Sequence, residues 1–248
     1  MEEKFKTTFG KKYKVDFSDN LSSFLGLNIQ QVRHNDGELT VYLDQGHSIL
    51  NLIAKAGLDK PGTASKKTPY RSGHPVDSIE HQEMSERERE KLNKILQEYV
   101  GELNWLSTQT RPDISTITNI IAQYNSKCSK GHIDAAKYVI RYLLGTKNRG
   151  ICFSSRHNST LEAFVKFPID PAQIYPVTDA NWGPQDASKP DPNKTYPKLD
   201  LFKSRSIAGF VIWFGGPLHW QAKRQGYTAR SSGESEVGSV DNCTQVLQ

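Results

Sequence analysis

Along residues 85–146 apolar side chains recur at the three-to-four spacing of helices, and after Gly150 that period gives way to the short apolar runs of strands. Ser85 followed by Glu88 is a capping box, in which hydroxyl and carboxylate satisfy orphan N–H groups at a helix start. A stripe of Leu92, Ile95, Leu96, Tyr99, Leu103 and Leu106 follows it. Pro112-Asp113 opens a second helix carrying Ile117, Ile120, Ile121 and Tyr124, and a third runs from Ile133 to Leu144 and stops at Gly145. Upstream, polarity alternates from Ser23 to Leu43 around Asn35-Asp36-Gly37, where Asp-Gly supplies the positive φ angles of a tight hairpin. His47, Leu50, Ile53, Ala54 and Leu58 then trace a short helix with Gly57 at its end. Residues 60–83 are polar, rich in Pro, Gly, Ser and Lys and without an apolar period, which predicts a linker.

Beyond Gly150 the predicted strands are Ile151–Phe153, Leu161–Phe167, Ile174–Thr178, Ile207–Phe214 and Leu218–Ala222, interrupted by a Pro-rich loop from Gln185 to Pro197. Ser231 with Glu234 forms a second capping box, and a helix is expected from Ser232 onward. The fold class is α+β.

With 36% hydrophobic residues and ten Tyr, ten Phe and four Trp, the chain is too apolar to be disordered. Its net charge of +5 suits, without demanding, a partner made of phosphates. The three cysteines lack metal-ligand spacing, so a reducing, intracellular setting, cytoplasmic or nuclear, is expected. The most apolar stretch, Ile207 to Trp220, is broken by Gly209, Gly215, Gly216 and Pro217 and falls short of the ~20 residues a membrane helix needs. The N-terminus, Met1-Glu2-Glu3-Lys4, lacks the apolar run of a signal peptide, so no membrane partner is expected.

Tyr99-Val100-Gly101-Glu102-Leu103-Asn104-Trp105-Leu106 followed by Thr110-Arg111-Pro112-Asp113-Ile114 resembles a block of copia-type retrotransposon Pol polyproteins. His132, Ala135-Ala136-Lys137 and Arg141-Tyr142-Leu143-Leu144-Gly145-Thr146 resemble the next block, in the same order. Phe24-Leu25-Gly26-Leu27-Asn28-Ile29, Leu43-Asp44-Gln45 and Thr68-Pro69 resemble the region after the polymerase active site, where the family places a primer-gripping hairpin. Thr178-Asp179-Ala180-Asn181-Trp182, Lys203 to Phe210, Gly216 to Trp220 and Ser231 to Glu236 resemble its ribonuclease H segment. The resemblance implies the end of a reverse transcriptase palm with a thumb-like helix over 1–70 and a linker at 71–84. A helical connection over 85–150 and an incomplete ribonuclease H-like mixed sheet with one helix over 151–248 complete it.

Polymerase chemistry needs paired aspartates holding two metal ions, and the chain contains no Asp-Asp pair; the resemblance places the family's Tyr-x-Asp-Asp turn before Met1. Ribonuclease H chemistry uses four carboxylates around two Mg²⁺ or Mn²⁺ ions. By resemblance Asp179 and Glu236 are two of them, as catalytic residues and metal ligands. Taken alone, an Asp such as Asp179 is more commonly an Asx-turn at a strand end, and the flanking Trp182 pattern favours the functional reading. Glu234 is assigned to capping, and Asp241-Asn242 is rejected because it sits in the same helix as Glu236. Lys203, Arg205, Lys223 and Arg224 with Trp213 and Trp220 could bind the backbone of an RNA–DNA hybrid or other nucleic acid, or form a solvated face beside core tryptophans. The chain is expected to be inactive alone. The rival expectations are a non-catalytic nucleic-acid-binding remnant and a ribonuclease H completed by the rest of the polyprotein.

Overall fold

In the computed structural model, which describes residues 2–14, 21–70, 76, 84–156, 162, 168–181 and 205–247, the N-terminal hairpin forms as its alternation predicts. Strands β1 (Ser23–Phe24), β2 (Leu27–Arg33) and β3 (Leu39–Asp44) run antiparallel. The β2–β3 turn closes with His34 N–H donating to Glu38 O at 2.8 Å, and Gly37 takes φ +85° there. A second, unforeseen turn joins β1 to β2. Phe24 pairs with Leu27, so Leu25 and Gly26 form a two-residue loop with φ +47° and +79°, the geometry that matches strand twist.

Strand β4 (Ile151–Ser154) pairs antiparallel with β3 and completes a four-stranded sheet. The sequence reading groups these residues with the C-terminal strands; β3 instead offers an open edge that Gly150 lets the chain approach. A Cβ on Gly150 would stand 1.9 Å from Leu43 O. Across the sheet, Thr40 Oγ1 lies 2.9 Å from His34 Nε2 and 3.1 Å from Ser154 Oγ, linking β3 to β4 and to the residue that follows β2.

Helix α1 (Glu2–Lys12) precedes the hairpin and was not foreseen; Phe5 and Phe9 stack along one side of it and Tyr13, just past its end, tilts against Phe9, all exposed. Helix α2 (Gly46–Lys55) buries Ile49, Leu52 and Ile53, and Gly57 ends it at φ +67° as expected. Residues 60–70, predicted as linker, lie along the third bundle helix: Lys66 N–H donates to Arg141 O, and Ser65 abuts Gly145. Backbone hydrogen bonding anchors this stretch where no apolar period could. Of the predicted linker 71–84, only Val76, which is buried, and Met84 are among the described residues.

The helical unit follows its stripes. Helix α3 (Glu86–Gln109) starts at the predicted capping box, with Glu88 N–H donating to Ser85 Oγ and Ser85 N–H to Glu88 Oε2. A 3₁₀ turn (Pro112–Ile114) leads into α4 (Ser115–Ala122). Helix α5 (Lys130–Gly145) begins earlier than its apolar stripe because Ser129 and His132 cap it: Ser129 N–H donates to His132 Nδ1 at 3.0 Å. Leu96, Leu103, Ile114, Ile121, Ile140 and Leu143 form the centre of the core shared with α2.

The second sheet is β5 (Tyr175–Asn181), β6 (Ile207–Trp213) and β7 (Pro217–Arg224), all antiparallel, with α6 (Ser232–Leu247) against it. The predicted strand Leu161–Phe167, apart from Glu162, and the Pro-rich loop lie outside the described residues. At the start of α6 Glu234 N–H donates to Ser231 Oγ, but the Glu234 carboxylate accepts from Arg230 N–H rather than from Ser231. Hydrogen bonds that tie this sheet to other described elements include Trp220 Nε1–H to Ser107 O of α3 and Ser154 N–H of β4 to Gly215 O.

Candidate functional site

The motif residues of the helical unit converge on a buried ionic clamp. Arg111 follows α3, and its side chain is 1% exposed, so its charge demands a partner. The 3₁₀ turn supplies one by placing Asp113 two residues on, and the two meet as a fork: Nε to Oδ1 at 2.9 Å and Nη2 to Oδ2 at 2.7 Å. The remaining guanidinium donors reach the end of α5, Nη1 to Thr146 O at 3.0 Å and Nη2 to Thr146 Oγ1 at 2.8 Å. Tyr142 donates its hydroxyl to Asp113 Oδ2 at 2.6 Å, and its ring lies 5.5 Å from the Arg111 guanidinium carbon. Arg149 Nη1–H in turn donates to the Tyr142 hydroxyl. Partial burial of Asp113 alone would raise its pKa; the hydrogen bonds and charge of Arg111, with the Tyr142 hydroxyl, outweigh it and hold the carboxyl below its ordinary value. Burial, then the Asp113 carboxylate, pushes the Tyr142 phenol up.

The hairpin joins the same clamp. Thr110 donates its hydroxyl to Oε1 of the fully buried Gln45 at 2.8 Å. One residue earlier, Asp44 Oδ1 accepts from Asn28 Nδ2 and from Gly46 N–H, each at 2.8 Å, fastening β2 to the first turn of α2. Gln45, Thr110 to Asp113 and Tyr142 to Thr146 are therefore linked by one partly buried set of hydrogen bonds.

The predicted carboxylates lie elsewhere, on elements that pack together. Asp179 is exposed on β5 and Glu236 is half-buried on α6. Ser239, one turn beyond Glu236, has its Oγ 3.0 Å from the carbonyl oxygens of both Asp179 and Gly209, sharing its proton between them. Gln225 Nε2–H donates to Ser235 O and seats the preceding turn. Opposed residues of an antiparallel ladder share a face. Phe210 and Ile212 occupy the face where Cys243 of α6 is buried, while Asp179 is paired with Gly209 and alternates onto the face of Val211 and Trp220. Among the described residues no group of three His, Cys, Asp or Glu side chains is placed to hold a metal ion.

The predicted basic surface is divided in the same way. Lys223 is exposed opposite Ala208, and Arg224, opposite Ile207, turns to the other face. Arg224 Nη1–H donates to Arg205 O at 3.4 Å, which brings those two together. Trp220 is half-buried with its indole N–H on α3, and Lys203 lies outside the described residues. No described helix is long and apolar enough to cross a membrane.

Comparison with known proteins gives the clamp its context. The chain is 26% identical over 96% of its length to the retrovirus-related Pol polyprotein from transposon RE1 of Arabidopsis thaliana. It has the same identity over the same share to that from transposon RE2 of the same plant. Over 55% of its length it is 28% identical to the retrovirus-related Pol polyprotein from transposon TNT 1-94 of Nicotiana tabacum. The chain spans 13% and 14% of the two Arabidopsis proteins and 8% of the tobacco one. No family model matches it, and no solved structure does. Along nearly its whole length, the chain is similar to one segment of retrovirus-related Pol polyproteins of Arabidopsis transposons.

Proposed function

We propose that the chain is the stretch of a retrotransposon Pol polyprotein that runs from the end of the reverse transcriptase into its ribonuclease H-like part, held together by the Arg111 clamp and without turnover of its own. The observation that carries the reading is the clamp: residues singled out by resemblance to copia-type polyproteins, far apart in sequence, meet in one hydrogen-bonded cluster. Their role is to fix the hairpin, α3 and α5 in one arrangement. The parent activities are RNA-directed DNA synthesis and cleavage of RNA–DNA hybrids.

Mg²⁺ or Mn²⁺ would be the ion of that chemistry, activating a water and stabilising charge on the phosphate. Asp179 and Glu236 are two oxygen donors where the reaction uses four, so the described donor set does not suffice and no hydrolytic step follows from it. Titrating the chain with Mn²⁺ and following the paramagnetic signal of the free ion tests this. The expected result is weak, millimolar uptake; two ions held per chain at micromolar Mn²⁺, lost in Asp179→Asn, would overturn the absence of turnover.

A further inference from the structure

Residues 60–70 lie against α5 and bring lysines to a helix that is already basic. Lys66 N–H donates to Arg141 O at 3.1 Å, and Lys66 Nζ lies 5.4 Å from the centre of the Tyr138 ring. Lys137 and Arg141 are four residues apart on α5, so the helical rise sets them about 6 Å from each other along one face. Both are half-buried, and Arg141 Nε is enclosed without a hydrogen-bond partner. Neither is ion-paired among the described residues, in contrast to Lys55, which is held by Glu102 and Glu98. The acidic groups nearest in sequence are Asp134, a turn before Tyr138, and Asp59 where the segment begins; both are exposed. Lys66 therefore lies over the Tyr138 ring beside Lys137 and Arg141 of the same helix, and among the described residues no carboxylate is ion-paired with any of the three.

Holding like charges together costs free energy unless an anion answers them, and an aromatic ring among them suits a ligand that carries sugar and base beside its charge. We propose that Lys66, which lies over Tyr138, forms with Lys137 and Arg141 of the adjoining helix a binding strip for the phosphate backbone of a nucleic-acid duplex. The choice of a nucleic acid over an acidic polypeptide rests on the Pol reading above; the location of the strip rests on the geometry. It is separate from the Lys223, Arg224 and Arg205 region of the second sheet.

The test is anisotropy of a fluorescein-labelled RNA–DNA hybrid, titrated with the full chain over a range of salt concentrations. Lys66→Gln/Lys137→Gln is expected to weaken binding about tenfold and to lower the salt slope by about two. Lys66→Arg/Lys137→Arg should bind like the parent chain, and Lys223→Gln should change affinity less than about twofold. Arg141→Gln is expected to weaken binding as well; the lysine pair keeps the test decisive if that variant folds poorly. Unchanged affinity and slope in the glutamine pair would overturn the strip, as would no binding by the parent chain at low salt. Displacement of the hybrid by polyglutamate as readily as by unlabelled hybrid would overturn the ligand class. Mn²⁺ uptake and cleavage are read separately, so failure of the strip leaves the Pol reading to stand or fall by itself.

Discussion

Replacing Asp113 by Asn removes the only carboxylate that the Arg111 side chain touches among the described residues and leaves a guanidinium 1% exposed. Breaking a buried pair from one side costs about 3–5 kcal/mol, because the surviving charge is uncompensated. Asp113 is itself 34% exposed and Thr146 still accepts two of the Arg111 donors, so the low end, about 3 kcal/mol, applies here. The converse change, Arg111→Met, leaves a carboxylate that water and the Tyr142 hydroxyl can serve and fills the space with an apolar chain. Its cost should be about 1–2 kcal/mol. Urea unfolding followed by fluorescence reads the difference: with an m-value of about 3 kcal/mol/M, Asp113→Asn should shift the midpoint by about 1 M and Arg111→Met by about half that. The double variant should stand close to Arg111→Met, since the unpaired buried charge is then gone. A midpoint for Asp113→Asn equal to the parent's, or a larger loss for Arg111→Met, would refute the clamp as the centre of stability.

The depressed pKa of Asp113 makes a pH signature. A carboxyl whose folded value lies below its ordinary 3.8 lends stability at higher pH that is lost as pH falls through the folded value, so the urea midpoint should drop below about pH 4, and that component should be missing in Asp113→Asn. Gly150→Ala puts a methyl 1.9 Å from Leu43 O, which backbone must relieve; a loss of about 3 kcal/mol and weakened hydrogen-exchange protection in β4 are expected, and wild-type protection would contradict the close approach. Trp220→Phe removes the donor to Ser107 O and should cost about 1 kcal/mol, seen as a lower melting temperature; an unchanged melt would show the tie to be inert.

Local signals made the helical unit legible: stripes at helical spacing, the Ser85–Glu88 box, and Pro112 where a helix can accept it. The hairpin was legible for the same reason, since Asp36-Gly37 dictates its own turn. What periodicity could not reveal were contacts between distant segments. β4 reads as one more strand after Gly150, and only the open edge of β3 decides its partner. Residues 60–70 carry no apolar pattern because backbone atoms, through Lys66 and Arg141, anchor them. Helix α1 was missed because Glu2–Lys12 is mostly charged and its aromatic stripe, Phe5 and Phe9, is short. In the site, an Arg and an Asp flanking Pro112 already hinted at a pair, but the burial that makes the pair important is a tertiary fact. Alternation also separates neighbours that a motif treats as one patch, as it does Lys223 and Arg224.

Whether this Pol-type segment keeps its fold without turnover is read by incubating the chain with a labelled RNA–DNA hybrid and Mg²⁺ or Mn²⁺, beside Glu236→Gln prepared identically. Both are expected to leave the RNA strand intact. Cleavage by the parent chain that disappears in Glu236→Gln would contradict this and make Glu236 catalytic.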